Sequence, residues 1–197
     1  MIFEFLGYVL DIDVDKTRAY YDATPFDRLS PCDGFRNYEK AMDLMPQWVI
    51  SFFAQLGIEA KKPCEVFARH TNMDNSVACD GWYHVCGKMI SGESAIVSVN
   101  PEVAYLDVEK TFAVADDFRA YFQEKCYFLP EDFPLPALQL EIIANIPWVL
   151  EKRNPYSMIK ERIKMNKFKR LWFKLRYRNK LSSTFAISKN HFQNHTH

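Results

Sequence analysis

The chain reads as an α+β protein. An N-terminal strand and a helical pair pack on a mainly antiparallel β-sheet, and a basic C-terminal tail with helical character follows. Three observations carry that reading. Residues 2–14 are β-branched and aromatic and alternate toward their end. Residues 35–56 repeat apolar side chains every three or four positions, the helical period. From Pro63 the period shortens to two, and strand-like runs follow one another with only Gly, Pro, Asn and Asp between them. Strands that succeed one another without helices pair antiparallel, which leaves the helices to one face or end of the sheet.

In order, Ile2–Val14 forms the first strand, with a break at Gly7. Asp15 can cap a short helix that runs to about Tyr21 and is closed by Thr24-Pro25. Ser30-Pro31-Cys32-Asp33 has the form of a helix start, with Ser as N-cap and Pro at the first helical position. Phe35, Tyr38, Met42 and Met45 then make one apolar stripe. Pro46 opens a further helix whose face is Trp48, Val49, Phe52, Phe53 and Leu56, and Gly57 suits a left-handed C-terminal cap. Strands are expected at about 65–69, 77–89, 94–99, 106–115, 118–123 and 137–146.

After Leu150 the composition changes. Residues 152–197 hold 13 Lys+Arg against one acid, Glu161, whereas residues 1–151 hold the other 12 bases and 24 of the 25 acids. The formal net charge of zero therefore joins an acidic α+β domain, 1–151, to a basic, aromatic-rich extension, 152–197. Within the extension, residues 156–181 lack Pro and Gly, but the apolar stripe changes side near Asn166, so two short helical pieces fit better than one rod. Residues 182–197 are expected to fray. Trp172 and Phe173 interleave with Lys167, Lys169, Arg170, Lys174, Arg176 and Arg178. Cations neutralise phosphates while aromatic faces stack on bases or enter a headgroup layer, so an anionic membrane surface or a nucleic acid is the partner class this pattern suits. Docking on the chain's own acidic domain, or on that of a second copy, is an equally direct use of the same charge.

With 48% hydrophobic and 15% aromatic residues, the domain has enough apolar mass to bury a sizeable core. No basic leader precedes the apolar N-terminal run and no apolar stretch is long enough to span a bilayer, so the expected location is cytoplasmic, with peripheral attachment at a membrane open to the tail. Cys32, Cys64, Cys79, Cys86 and Cys126 are odd in number and scattered, as reduced thiols rather than a disulfide framework would be.

The chemistry-bearing cluster is Cys79-Asp80-Gly81-Trp82-Tyr83-His84-Val85-Cys86. On a strand, Trp82, His84 and Cys86 share one face, so His84 and Cys86 could hold zinc, with Cys79 or His70 completing a tetrahedron. A close Cys pair is missing, and buried thiols beside a hydrogen-bonded imidazole are the commoner reading; no cofactor is predicted. Asp11, Asp13 and Asp15 lie on one face of the first strand, but Lys16 stands where a calcium loop needs glycine. Phosphate-binding glycine loops, nucleophile elbows and paired zinc histidines are all missing from the sequence.

Residues about 20–151 resemble a group of small uncharacterised bacterial proteins, mainly from Firmicutes. The stretches that carry the resemblance are Tyr20-Tyr21-Asp22 through Pro25, Pro31-Cys32-Asp33-Gly34 with Arg36-Asn37, Leu56-Gly57-Ile58, Lys62-Pro63, Gly81-Trp82-Tyr83-His84-Val85-Cys86-Gly87 and Pro130-Glu131-Asp132-Phe133-Pro134. The group reads Cys-Asp-Gly-Cys where this chain has Cys32-Asp33-Gly34-Phe35, so a metal held there in those proteins would lack one ligand here. The resemblance implies no activity. Two functions remain from different classes: an interaction or accessory protein without catalysis, and a metal- or thiol-dependent enzyme centred on Cys79, His84 and Cys86.

Overall fold

A computed structural model describes residues 1–25, 32–100 and 103–156. The first compact unit runs from Met1 to Tyr156, past the change of composition at Glu151; the second, Ser157–His197, lies outside the described residues, and with it the two expected helical pieces and every basic residue from Lys167 to Arg178. The unit is α+β. Seven strands form one antiparallel sheet: β1 (Ile2–Phe5), β2 (Tyr8–Ile12), β3 (Glu65–Thr71), β4 (Ser76–Ser91), β7 (Phe112–Ala115), β8 (Phe118–Gln123) and β9 (Ala137–Pro147). The order is β1-β2-β4-β9-β8-β7, with β3 also paired to β4. A separate two-stranded hairpin is made by β5 (Ile96–Asn100) and β6 (Val103–Leu106). Among the described residues three α-helices accompany the sheet: α1 (Val14–Ala23), α2 (Asp33–Ala41) and α3 (Gln47–Gln55). No helix among the described residues is long and apolar enough to cross a membrane.

Strand β4 organises the sheet. One edge pairs β9 in unbroken register from Ser76↔Pro147 to Cys86↔Ala137. The other edge takes β3 against residues 77–82 and β2 against residues 87–91, which leaves a gap between two partners. Buried main-chain groups left without partners are costly, and helix α1 fills the gap. Cys64 N donates to Trp82 O, the Tyr21 hydroxyl donates to His84 O (3.0 Å) and accepts from His84 N (3.2 Å), Cys86 N donates to Thr17 Oγ1 (2.9 Å), and Asp13 N donates to Cys86 O. Two side chains of one helix thus continue a ladder that no strand completes. Gly87 lets β2 approach: a Cβ there would stand 2.4 Å from Asp11 O.

Alternation along these strands puts one set of side chains in the core. Tyr83 and Val85 of β4, Leu138, Leu140 and Ile142 of β9, and Phe118 and Phe122 of β8 are buried against Phe35, Tyr38, Val49 and Phe53 of α2 and α3. Each such side chain contributes about 1.5–3 kcal/mol by leaving water. The ring of Phe53 meets Tyr83 at 4.8 Å and Phe118 at 5.8 Å. The sheet curls so that Phe5 of β1 stacks on Phe112 of β7 at 5.1 Å and the Tyr8 hydroxyl donates to Lys110 O. One polar pair crosses the core. Tyr83 spends its only hydroxyl hydrogen on Ala60 O (2.6 Å), so Tyr38 must be the donor in the 2.6 Å contact between the two hydroxyls.

Several boundaries differ from the sequence expectation, each for a local reason. The first run folds back at Gly7, whose φ of +79° allows the turn, and becomes the β1–β2 hairpin. Helix α1 starts at Val14 because Asp13, not Asp15, caps it, accepting from Lys16 N. Ser30-Pro31 lies outside the described residues, and α2 is capped by the Cys32 sulfur, which accepts from Phe35 N. The expected strand 106–115 is cut into β6 and β7 by the 3₁₀ turn Val108–Lys110, whose first turn Asp107 caps. The chain after β9 stays integral. Asn37 donates to Pro147 O and accepts from Val149 N, Trp148 Nε1 donates to Lys152 O, Lys152 pairs with Asp33, and the buried Asn154 donates to Thr71 Oγ1.

Candidate functional site

The face of the sheet turned away from α2 and α3 carries the groups able to meet a ligand. Because β4 pairs β9 without a bulge, even-numbered residues of β4 (Asp80, Trp82, His84) and odd-numbered residues of β9 (Gln139, Glu141, Ile143) share this face. Register then sets Glu65 and Glu141 directly opposite Trp82 on either side, Tyr121 beside Glu141, and Gln139 beside His84. Segment 124–136 crosses part of the face.

A polar network fills one part. Glu141 Oε1 accepts from Gln123 Nε2 (2.6 Å) and Gln139 Nε2 (2.5 Å), Gln139 Oε1 accepts from Tyr127 N (2.6 Å), and His84 Nε2 lies 3.1 Å from Tyr127 O, which makes that nitrogen the donor. Burial raises the Glu141 carboxyl pKa, partly offset by its two amide donors. Burial also lowers the His84 pKa, against the opposing pull of Tyr127 O and Gln139, so the imidazole is held neutral. Every member of this network is committed to another.

Next to it lies an aromatic group. Trp82 is flanked by Phe67 of β3 at 5.6 Å and by Phe128 at 6.1 Å, the latter nearly parallel at 14°. Trp82 is 9% exposed, Phe67 52% and Phe128 80%. Phe128 sits at φ +51°, in the left-handed region. Burial pushes the Cys64 thiol up to about 11, against an opposing pull from the buried Trp82 Nε1–H, which lies against the sulfur without meeting strict hydrogen-bond geometry.

The three residues expected to share a metal are divided. Cys79 has odd parity on β4, so it projects into the core face, where its thiol donates to Ala144 O, whereas His84 and Cys86 project to the other face. His84 meets Phe133 and the Tyr127 carbonyl; Cys86 sits by Asp13 and Lys16 at the start of α1. Burial pushes the Cys79 thiol up to about 12 and raises Cys86 as well. No group of three or more His, Cys, Asp or Glu side chains placed to share a metal ion occurs among the described residues. What His84 does share is a cavity of about 210 Å³ with Cys64, Tyr20, Tyr21, Thr24, Lys62, Pro63 and Pro130. Sequence reading passed over Cys64, whose adjacency to His84 exists only through the β3–β4 pairing. Lys62 Nζ donates to Tyr21 O and Thr24 O and so closes the C-terminal end of α1 beside this cavity.

No family model, curated protein or solved structure matches the chain.

Proposed function

We propose that the protein is a non-catalytic interaction protein that meets a polyanionic partner through its basic extension. The observation that carries this reading is the division of charge between the two compact units. Residues 1–156 hold 24 acids and 14 bases, while residues 157–197 hold the other 11 bases and a single acid. A polyanion is repelled by the first and attracted by the second. The state of the candidate catalytic groups supports the same reading. A thiol nucleophile needs a depressed pKa, and Cys64, Cys79 and Cys126 are raised by burial to about 11, 12 and 11. The rival, a metal- or thiol-dependent enzyme, now rests on His84 with Cys64 rather than on the Cys79, His84 and Cys86 set; stoichiometric metal in the purified protein, or one fast-reacting thiol at pH 7, is what it predicts.

The test compares the whole chain with a form ending at Tyr156 and with a full-length form in which Lys167, Lys169, Arg170, Lys174, Arg176 and Arg178 are replaced by Gln. A stop at Glu151 is unsuitable, since it removes Lys152 and Asn154, which bond to Asp33 and Thr71. Binding is measured to phosphatidylserine-containing vesicles and to duplex DNA at two salt concentrations. Near an anionic membrane each cation is worth about 1 kcal/mol, so six replacements should weaken binding more than ~100-fold. On duplex, each lost phosphate contact should lower the log–log salt slope by roughly 0.9. Equal binding by all three forms, or none by any, defeats the proposal. Salt-dependent self-association without either ligand would reassign the tail to a second copy of the chain.

A further inference from the structure

The helices differ in what they show to water. On α1 the exposed positions include Asp15, Lys16, Arg18 and Asp22, and on α2 they include Arg36 and Lys40. On α3 they are Gln47, Trp48, Ala54 and Gln55, none of them charged. The neutral run is longer than the helix. From Leu44 to Ile58 the chain passes without Asp, Glu, Lys, Arg or His, the longest such run it has. Val49, Phe52, Phe53 and Leu56 make up the buried half, where charge is not wanted. The outer half has no such reason. Charged side chains are the ordinary occupants of a solvated surface, and their depletion together with aromatic enrichment marks the centre of a protein–protein contact. Trp48 is 62% exposed and Leu44, just before the helix, 65%.

The helical period orders this face. Gln47, Ser51 and Ala54 follow one another along its centre, with Trp48 and Gln55 together on one flank. A tall ring therefore stands near the N-terminal end, and the small side chains of Ser51 and Ala54 leave a low shelf further on. Ring and shelf complement each other when a second copy lies antiparallel. A two-fold axis at Ser51 sets Trp48 of each copy on Ala54 of the other and Gln47 beside Gln55, whose amides can bond each other. Charge also selects a second copy. The compact unit holds 24 acids and 14 bases, so a partner matched to the unit at large would be basic and would meet carboxylates at the contact. This face presents none. Two acidic units repel each other where their charged surfaces meet, and a neutral face lets them approach without that repulsion.

We propose that α3 is the contact of a reversible, two-fold symmetric dimer of this chain, in which Trp48 of each copy packs on Ser51 and Ala54 of the other. Tryptophan is among the residues that most often carry the energy of such contacts, and the small residues at the axis let the two helices approach closely. A helix of this length spans only about 14 Å, so the buried area falls at the low end of specific interfaces. The dimer is correspondingly weak, with a dissociation constant on the order of 10–100 μM. The contact uses no residue of the basic extension, so it stands or falls separately from the polyanion reading.

The experiment is sedimentation equilibrium of the full-length chain from about 1 μM to about 1 mM, which brackets that constant. Trp48→Ala should weaken the dimer about tenfold or more. Trp48→Glu and Ala54→Lys should each dissociate it, and an equimolar mixture of the two should restore it. The register sets the new acid against the new base at one contact and leaves Trp48 on Ala54 at the other. Both positions are exposed, and thermal unfolding checks that each variant is folded; should the Trp48 variants be unfolded, Ala54→Lys decides alone. Replacing the six basic residues Lys167, Lys169, Arg170, Lys174, Arg176 and Arg178 by Gln takes the formal net charge from zero to −6. In that form the dimer should persist and tighten as salt rises to about 0.5 M, because screening weakens the repulsion between acidic units. A chain that stays monomeric to about 1 mM overturns the proposal. So does a dimer indifferent to Trp48→Glu and Ala54→Lys, a mixture of those two that stays monomeric, or a dimer lost in the six-Gln form at high salt, which would assign the association to the extension. A dimer formed only by a chain ending at Tyr156 would make the extension the occupant of α3. Binding of the monomer to neutral phosphatidylcholine vesicles through Trp48 would make the occupant a lipid surface. Either result also overturns it.

Discussion

The two faces of the sheet are built from alternate residues of the same strands and have opposite economies. On the core face, Tyr83, Val85, Leu140 and Phe122 lie against α2 and α3, and a polar intrusion there, the Tyr38–Tyr83–Ala60 relay, is completely bonded. On the open face, Gln139 is bonded to Glu141 and His84 to Tyr127 O, whereas Phe67 and Phe128 keep exposed rings. A face that exists to be buried settles its polar groups internally. The open face settles its polar network internally as well but leaves the rings of Phe67 and Phe128 exposed.

Truncation on the core face gives the sharpest contrast. Phe53 is completely buried between Tyr83, Phe118 and Phe52, so Phe53→Ala should cost about 3–5 kcal/mol in urea denaturation. Phe67→Ala on the open face should cost less than ~1 kcal/mol. Equal losses would show that the open face is structural core. Between the two lies the edge of β4. Tyr21→Phe removes the one hydroxyl that partners both His84 main-chain groups and should cost about 2–3 kcal/mol, with faster hydrogen exchange at the His84 amide.

The relay across the core supplies a sharper question. Tyr83→Phe leaves Ala60 O and the Tyr38 hydroxyl unpaired, at a cost of roughly 1–3 kcal/mol. Tyr38→Phe in addition should cost less than it does alone, because its hydroxyl has already lost its acceptor. Strict additivity in that double-mutant cycle would mean that the two hydroxyls do not interact. The smallest effect is one of pH. The folded-state pKa of His84 lies below the usual 6.5, so between the two values the unfolded chain takes up the proton and the folded one does not. Stability from this group is complete above about 6.5 and is lost as pH falls through the folded value. Glu141 acts with the opposite sign. Its folded pKa lies above the usual 4.5, so its contribution is present below that value and is lost as pH rises through the folded one. His84→Gln should therefore flatten the stability profile below pH 6.5, and Glu141→Gln should raise the melting temperature at pH 7 with a gain that shrinks on acidification. Profiles unchanged by either replacement would show that the open-face network is solvated.

The class of the fold was legible because its signals are local. A period of two from Pro63 onward, the stripe Phe35–Tyr38–Met42, and Pro46 with Gly57 around α3 are each set within a few residues, and α3 runs from Gln47 to Gln55 as they require. Misreadings cluster where one residue type serves two purposes. Asp13 belongs to the alternating strand pattern and is also the cap of α1; Asp107 looks like a polar residue within a strand and instead caps the turn that ends it. The site was less legible. Trp82, His84 and Cys86 on one face followed from parity alone, but Cys79 has the other parity, and Cys64 and Phe128 approach Trp82 from chain positions that no spacing rule connects to it.

By itself the amino-acid sequence determined the α+β class, the helical and extended periods, and the separation of an acidic unit from a basic extension. These depend on side-chain type and on spacing along the chain, which folding does not alter. Tertiary structure alone decided that α1 bridges the gap in the β4 edge, that Cys64 shares a cavity with His84, and that Phe128 stacks on Trp82. Those depend on pairing register and on contacts between segments far apart in the chain, where a shift of one residue exchanges the two faces of a strand.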